Sequence, residues 1–267
     1  MDSAEKSSIQ AAADQDLRTP CYCEENAWRV VYRHLHLAIL PAIATDNGKD
    51  RHHKFLDCGT CTDACEYEYH VVFISNESRC CPFYRQRAVP IYKVHAPVHW
   101  DYHVIVIRTI RTTSPSSHGT EVLDVDTWLP YPCPIQTYLD ETFRPRTTLT
   151  SSSTTTSTEF QPLFRVIPAQ QYLQYFYSDR MHMFQKGKWI ARPPGYPPIM
   201  NGLKYAEGNK STNISNLEKY IDMMPLPSSD YGGGGGGTND NDNDSTIDEQ
   251  IMGTVLTFDE FRARFTL

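Results

Sequence analysis

Two β-rich segments separated by a turn-like stretch constrain the fold more than any other part of this sequence. Residues 100–110 (WDYHVIVIRTI) and 121–129 (EVLDVDTWL) flank the stretch TTSPSSHGT. We predict an antiparallel hairpin in which the numbers of paired residues sum to about 227, so that His103 faces Asp124 about 5 Å away at Cβ. A carboxylate there would hold the imidazole in one tautomer and stabilise its protonated form. A slip of one residue in the register would place the two side chains on opposite faces of the sheet. The alternative is a hairpin whose polar residues simply face solvent.

One amphipathic helix is predicted before these strands. Its apolar residues follow helical spacing, at Trp28, Val31, Leu35 and Ile39. Because Pro41 prevents continuation, the helix is expected to start just after Cys23 and to stop near Leu40. Further strands are predicted at residues 67–75 and 163–167, with helices at 170–176 and 256–265. A helix followed by a run of strands predicts an α+β fold, with an antiparallel sheet packed on the N-terminal helix.

Low-complexity segments set the expected domain organisation. Residues 147–158 are almost entirely Ser and Thr, and residues 225–250 contain six consecutive glycines followed by an Asn- and Asp-rich tract. Neither composition builds a packed core, so both are predicted to be flexible insertions. We therefore predict a disordered N-terminus over residues 1–19 and a single domain over residues 20–267.

Charge and composition exclude several classes of protein. Lys and Arg number 25 and Asp and Glu number 32, which gives a formal net charge of −7 over 267 residues. An acidic chain is not expected to bind nucleic acid, because such binding needs a basic surface. With no apolar signal segment and no run long enough to span a bilayer, we expect no membrane association and a cytoplasmic, possibly also nuclear, protein. Eight cysteines are too few for a disulfide scaffold.

Cys23 is the candidate nucleophile because it stands at the predicted helix start. The positive end of the helix dipole and the unpaired N–H groups there lower a thiol pKa and can hold an oxyanion. Cys21 lies outside the helix and lacks this setting. The alternative is that both cysteines are small, inert, buried residues. A cysteine nucleophile, a histidine base and an orienting aspartate, in that chain order, form the generic set of a thiol hydrolase.

A metal site is the competing interpretation of another cysteine group. Cys58, Cys61 and Cys65 form C-x2-C-x3-C, and His52, His53 and His70 lie nearby. A structural zinc site usually needs a second pair of cysteine or histidine ligands with matching spacing, and that pair is missing here. We therefore expect no metal, and Cys80 and Cys81 are expected to be structural.

Several sequence blocks together resemble the protein N-terminal glutamine amidohydrolase family. They are CYCEEN (21–26), VFISNE (72–77), WDYHV (100–104), DVDTWLPYPC (124–133), FRVI (164–167), SDRMHM (178–183) and GTVLTFDEFRARF (253–265). The resemblance implies a monomeric, papain-like or transglutaminase-like thiol enzyme with Cys23, His103 and Asp124 as its triad. It also implies deamidation of an N-terminal glutamine side chain to glutamate, a step of the Arg/N-degron pathway, without a metal or organic cofactor.

A substrate with a free N-terminus needs an acidic or carbonyl partner for its α-ammonium group. Three carboxylates near the predicted triad are candidates: Glu24, Glu25 and Asp101. For the two glutamates, compensation of the helix dipole is the alternative role. Aromatic side chains that would wall the site are Trp100, Tyr102 and Trp128, and core packing is their alternative. The Pro-rich segment 192–198 is expected to line the groove or to form a rigid surface loop.

Two other functions remain open from the sequence. A peptidase or a transglutaminase uses the same three residue types, so the triad alone does not distinguish these reactions. A non-catalytic interaction protein on the same fold is the other possibility, with the acidic Asn/Asp tract as a partner-binding tail.

Overall fold

The computed structural model describes residues 3–37, 66–111, 119–143, 161–203, 214–224 and 251–266. The α-helices within these ranges are α1 (Ser3–Gln15), α2 (Cys23–Tyr32), α3 (Ile135–Thr142), α4 (Ala169–Tyr175), α5 (Leu217–Ile221) and α6 (Phe258–Phe265). The strands are β1 (Glu66–Ser75), β2 (Cys81–Phe83), β3 (Val98–Trp100), β4 (His103–Arg111), β5 (Gly119–Leu123), β6 (Cys133–Pro134), β7 (Leu163–Pro168), β8 (Phe184–Gln185), β9 (Lys188–Trp189) and β10 (Thr254–Leu256). Across the described ranges, no helix combines the length and apolar character that crossing a membrane requires.

A six-stranded antiparallel sheet organises these elements. Its strand order is β10–β7–β1–β4–β5–β6, and β1 lies between β4 and β7 near the middle. The α+β class and the strands predicted at residues 67–75 and 163–167 are therefore confirmed. The pairs β2–β3 and β8–β9 form two small separate ribbons.

The two faces of the sheet bury separate apolar clusters. In β1, Val71 and Phe73 face the cluster that contains Val30 of α2, whereas Val72 and Ile74 face the opposite cluster. This alternation follows from the two-residue period of a strand. Helices α2, α4 and α5 cover one face, and α3 and α6 cover the other. The helix that carries Cys23 thus packs on the sheet, as predicted.

The hairpin register differs from the prediction by two residues. Val106 pairs with Leu123 and Ile107 with Val122, so the numbers of paired residues sum to 229 instead of about 227. His103 and Asp124 are therefore diagonal neighbours and do not face each other directly. A shift of two residues keeps every side chain on its face, so the two residues still meet.

Aspartate side chains interrupt one predicted strand near its start and end another earlier than expected. The predicted strand at 100–110 is interrupted after Trp100, where the Asp101 carboxylate accepts the Tyr102 backbone N–H at 3.0 Å. The strand predicted at 121–129 ends at Leu123, and the Asp124 carboxylate accepts the Asp126 N–H at 2.8 Å. Such local bonds compete with the sheet ladder and stop it. Similarly, α2 gives way after Tyr32 to a π-helical turn at Arg33–Leu37.

The N-terminal segment differs from the predicted disorder. Residues Ser3–Gln15 form α1, and Asp14 is 1% exposed. The Asp14 carboxylate accepts hydrogen bonds from Tyr131 Oη at 3.0 Å and lies 2.7 Å from His34 Nε2. A long-range polar contact of this kind leaves no pattern in the local sequence. The insertions predicted at residues 147–158 and 225–250 lie outside the described residues.

Replacing Asp14 by alanine removes the partner of two side chains that meet it in a buried position. We expect Asp14→Ala to lower the free energy of unfolding by about 1–3 kcal/mol, measured by urea denaturation. The matched control is Asp16→Ala, at an exposed position just after α1, with an expected change within about 0.5 kcal/mol. Equal effects of the two substitutions would contradict an anchoring role for Asp14.

Candidate active site

Cys23 is the first residue of α2 and lies against the start of β4. The residue before it, Tyr22, provides no side-chain cap, and the Glu24 N–H is bonded to its own carboxyl group, which leaves the Cys23 N–H without a side-chain cap from Tyr22. The Val104 backbone N–H donates a hydrogen bond toward the sulfur, and Val104 directly follows His103. In the described residues, the side-chain hydrogen bond of the thiol goes to Glu24 Oε2, at 3.7 Å. The sulfur therefore lies beside the strand that carries the candidate base.

His103 and Asp124 form a buried pair at one end of the sheet. Because β4 and β5 are antiparallel, β4 begins where β5 ends, which brings His103 next to the residue that follows Leu123. His103 Nε2 lies 3.1 Å from Asp124 Oδ2, and the two residues are 1% and 3% exposed. The hydrogen bond occupies Nε2 and leaves Nδ1 as the ring nitrogen for proton transfer.

Further hydrogen bonds fix the Asp124 carboxylate. Tyr138 Oη donates to Oδ2 at 2.8 Å, and the Asp126 N–H donates to Oδ1 at 2.8 Å. Burial alone would raise the pKa of Asp124, but these donors and His103 hold that pKa below its ordinary value. Burial opposes protonation of His103 in the same way, yet the adjacent carboxylate raises the pKa of the imidazole. Tyr138 lies on α3, and no sequence pattern identified its role.

The electrostatic setting of Cys23 differs from the expectation. The helix start was expected to lower the thiol pKa, whereas the structure raises that pKa well above its ordinary value. Burial is the largest cause, followed by the negative charges of Glu24 and Asp126. The effect of the helix end is thus outweighed by burial of the sulfur, to which the charges of Glu24 and Asp126 add.

Glu25 is occupied by a bidentate ion pair. Arg180 Nε lies 2.6 Å from Oε1 and Arg180 Nη2 lies 2.8 Å from Oε2, and both side chains are buried. Arg180 also donates to the carbonyl groups of Tyr196 and Pro197. The arginine therefore ties the Pro-rich segment 192–198 to the helix that carries Cys23. Sequence reasoning did not identify Arg180, although it lies within the SDRMHM block.

Glu24 lies closer to the sulfur and is fully buried, with 0% exposure. Its Oε2 accepts a hydrogen bond from Tyr102 Oη at 3.1 Å, and Tyr172 Oη donates to its backbone carbonyl at 3.1 Å. Burial, together with the charge of neighbouring Glu25, raises the pKa of Glu24 to about 8. This carboxyl group is therefore mostly protonated at neutral pH.

The remaining predicted residues divide between the site and its surroundings. The Trp100 ring packs 4.6 Å from the His103 ring and covers it, whereas the Asp101 residue is exposed. Tyr102 reaches the site through its bond to Glu24. Trp128 instead donates its indole N–H to the Val89 carbonyl at 3.0 Å, so it belongs to a neighbouring loop.

The metal interpretation falls mainly on residues that the structure does not describe. Cys58, Cys61 and Cys65, with His52 and His53, lie outside the described residues. His70 is part of β1, and its ring packs edge-on against Phe265 at 5.9 Å. Within the described ranges, no group of three His, Cys, Asp or Glu side chains is arranged to hold a metal ion.

An imidazole–carboxylate pair beside a cysteine at a helix start is the arrangement typical of thiol-dependent hydrolases. Comparison with known families makes the assignment more specific. A family described as N-terminal glutamine amidase matches residues 18–265, and the chain belongs to this family. The resemblance inferred from the sequence blocks is thereby confirmed, and with it the assignment to enzymes that hydrolyse amide C–N bonds.

Individual relatives agree with the family match. The chain is 33% identical over 210 residues to the protein N-terminal glutamine amidohydrolase of Bos taurus, which covers 77% of this chain and 76% of the relative. It is 32% identical over 217 residues to the enzyme of that name from Homo sapiens, covering 79% and 80%. It is 33% identical over 208 residues to the one from Arabidopsis thaliana, covering 77% and 74%.

The geometry predicts that Asp124 controls the protonation of His103. In Asp124→Asn the carboxylate charge is lost while burial still opposes the imidazolium, so the pKa of His103 should fall. Titration of the His103 ring signals by NMR measures this change. Asp259→Asn, on the first turn of α6, serves as the control and should leave the titration unchanged. An unchanged His103 pKa in Asp124→Asn would show that the Asp124 carboxylate does not stabilise the protonated His103 ring.

Proposed function

We propose that this protein hydrolyses the side-chain amide of an N-terminal glutamine in polypeptides, giving glutamate and ammonia. The observation that carries this proposal is the family match over residues 18–265. It is combined with a buried His103–Asp124 pair and with a Cys23 sulfur that accepts a hydrogen bond from the backbone of Val104, the residue after His103. Relatives bearing the name protein N-terminal glutamine amidohydrolase support the choice of substrate.

In the proposed mechanism Cys23 is the nucleophile and His103 moves the protons. The sulfur attacks the side-chain amide carbon as its proton passes to His103. The imidazolium, held by Asp124, then protonates the departing amide nitrogen, so ammonia leaves and a thioester remains. Water, deprotonated by His103, attacks the thioester carbon. The C–S bond breaks as the imidazolium returns this proton to the sulfur, so the product with an N-terminal glutamate leaves and the Cys23 thiol is restored.

The helix start supplies the stabilisation of the tetrahedral intermediates. The oxyanion forms next to the sulfur, where the Cys23 N–H has no side-chain cap from Tyr22. Donors held in place before the reaction need no reorganisation as charge develops on the oxygen. The Cys23 N–H is the donor assigned to this role.

The finer classification and the cellular role belong to the same proposal. The helix bearing the cysteine, packed on an antiparallel sheet whose strand starts with the histidine, supports a papain-like or transglutaminase-like fold. We assign the protein to the Arg/N-degron pathway, as a cytoplasmic and nuclear monomer that uses no cofactor. Size-exclusion chromatography and subcellular fractionation test the oligomeric state and the location.

The reaction is tested with three matched peptides that begin with Gln, with Asn and with acetyl-Gln. We expect ammonia release and a mass increase of about one dalton for the Gln peptide only. Cleavage of a peptide bond in any of them would favour a peptidase, and incorporation of an added amine would favour a transglutaminase. Absence of any turnover would favour a non-catalytic protein on this fold.

Substitution of the proposed nucleophile and base should abolish turnover. Cys23→Ala removes the attacking sulfur and should leave no measurable ammonia release, and His103→Ala should lower kcat by about 10³-fold or more. Cys21→Ala, two residues before the nucleophile, is the matched control and should retain activity. Inactive Cys21→Ala combined with active Cys23→Ala would move the nucleophile to Cys21.

The pKa shifts of the site predict activity that rises with pH. The raised pKa of Cys23 and the raised pKa of His103 both favour a resting site that carries a thiol and an imidazolium. Attack requires the loss of one proton from this pair, so kcat/KM should increase as pH rises. We expect the midpoint of this rise above the ordinary imidazole value of 6.5. A constant kcat/KM between about pH 6 and 7.5 would contradict this electrostatic description.

A further inference from the structure

At Glu24 and the neighbouring His182, three buried polar atoms have no hydrogen-bond partner among the described residues, and the proposed mechanism does not use them. They are Glu24 Oε1 and both ring nitrogens of His182. His182 Nε2 lies 3.6 Å from Glu24 Oε1, which is too far for an ordinary hydrogen bond. Since buried polar atoms are nearly always paired, three neighbouring exceptions indicate that a donor arrives with a ligand.

The other acidic residues near the site do not offer an equivalent oxygen. Both carboxylate oxygens of Glu25 are bound by Arg180. Asp101 is exposed, and one of its oxygens accepts the Tyr102 N–H. Glu24 alone among the three candidates combines complete burial with an unpartnered oxygen.

The position of Glu24 matches the length of a glutamine residue. Its Oε2 lies 3.7 Å from the Cys23 sulfur, the atom that attacks the side-chain amide carbon. Four covalent bonds join that carbon to the α-nitrogen of the same residue, a span of at most about 5 Å. With the amide carbon at the sulfur, the α-nitrogen can therefore reach the same carboxylate.

We propose that Glu24, with His182 beside it, binds the free α-ammonium group of the substrate and thereby restricts the reaction to the first residue of a polypeptide. An ammonium group has three donors, which suits a carboxylate oxygen and an imidazole nitrogen that both lack partners. An internal glutamine presents one amide N–H without charge and would leave these acceptors unsatisfied. This inference rests on the proposed function, because it assumes a glutamine side chain at Cys23.

The electrostatics of the pocket agree with a cationic ligand. The groups around Glu24 are Glu25 and Cys23 on α2, Tyr102 before β4, Tyr172 on α4 and His182. Burial lowers the pKa of His182, so its ring is a neutral acceptor at neutral pH. The raised pKa of Glu24, about 8, is close to the value of about 7.7–8.0 for an α-amino group, so an arriving ammonium favours the ionised carboxylate.

The test compares two substrates that differ only in the α-amino group. One is a peptide that begins with Gln, and the other is the same peptide in which hydrogen replaces the amino group. For the wild-type protein and for Glu24→Gln, the ratio of kcat/KM between the two peptides is measured through ammonia release. We expect Glu24→Gln to lower this ratio by about 100-fold, mainly through KM for the Gln peptide. Glutamine has the shape of the protonated glutamate, so the variant is expected to fold.

Two further variants make the outcome specific. Asp101→Asn removes the charge of the nearest exposed candidate and should leave the ratio unchanged. His182→Ala, at a partly exposed position of the turn Met181–Met183, should lower the ratio by about tenfold. If Glu24→Gln does not fold, as judged by circular dichroism, the result for His182→Ala decides, and an unchanged ratio there overturns the inference.

The result separates this inference from the proposed function. If the wild-type protein releases no ammonia from the Gln peptide, the proposed function fails. If it does and Glu24→Gln slows both peptides in equal proportion, Glu24 has only a structural role and the ammonium site is overturned. A fall confined to the peptide with the amino group supports the site.

Discussion

The hydrogen bond between His103 and Asp124 depends on a few polar donors that reach the pair within an otherwise aromatic and buried region. The pair lies beside Trp100 and Phe83, and burial without partners would neutralise the carboxylate. Tyr138 and the Asp126 backbone N–H supply the donors that keep Asp124 ionised. The charge on Asp124 then determines the protonation of the imidazole. The protonation state of the pair therefore depends on donors from α3 and from the backbone that follows β5.

Burial and nearby carboxyl groups together disfavour a free thiolate at Cys23. Burial is the largest cause of the raised pKa of the thiol, and Glu24, Asp126 and Asp101 raise that pKa further. Glu24 itself has a raised pKa of about 8, so a cation beside it would favour its ionised form. Under our proposal that Glu24 binds the α-ammonium group of the substrate, the carboxyl group that selects the first residue is also one that raises the pKa of the Cys23 thiol.

The sequence predicts the fold class and the candidate residues for identifiable reasons. The two-residue period of a strand assigns His103 and Asp124 to one face even though the register was wrong by two residues. The helix follows from apolar spacing, and its start was predicted within one residue, but α2 ends at Tyr32 and not near Leu40, because a π-helical turn replaces it from Arg33. The end of the hairpin strand at Leu123 was missed, because it depends on where the Asp124 side chain finds a backbone donor.

Other parts of the site were beyond the reach of sequence patterns. Arg180, His182 and Tyr138 contact residues of the site only through the folded arrangement of distant segments. Glu24 and Glu25 stand in the same helical turn, so the sequence did not show that Arg180 would form an ion pair with Glu25 and not with Glu24. The rotation of 100° between successive helical residues separates their environments, and only the packed structure shows what each one meets.

The ion pair between Glu25 and Arg180 joins positions that are 155 residues apart in the chain. During synthesis the first partner leaves the ribosome long before the second, at a rate of about 5–20 residues per second. For that interval the Glu25 carboxylate has no arginine to neutralise it, and its burial is strongly unfavourable. The thiol-bearing helix therefore completes its docking late, so a shortened nascent chain that ends before Arg180 lacks an assembled reaction centre.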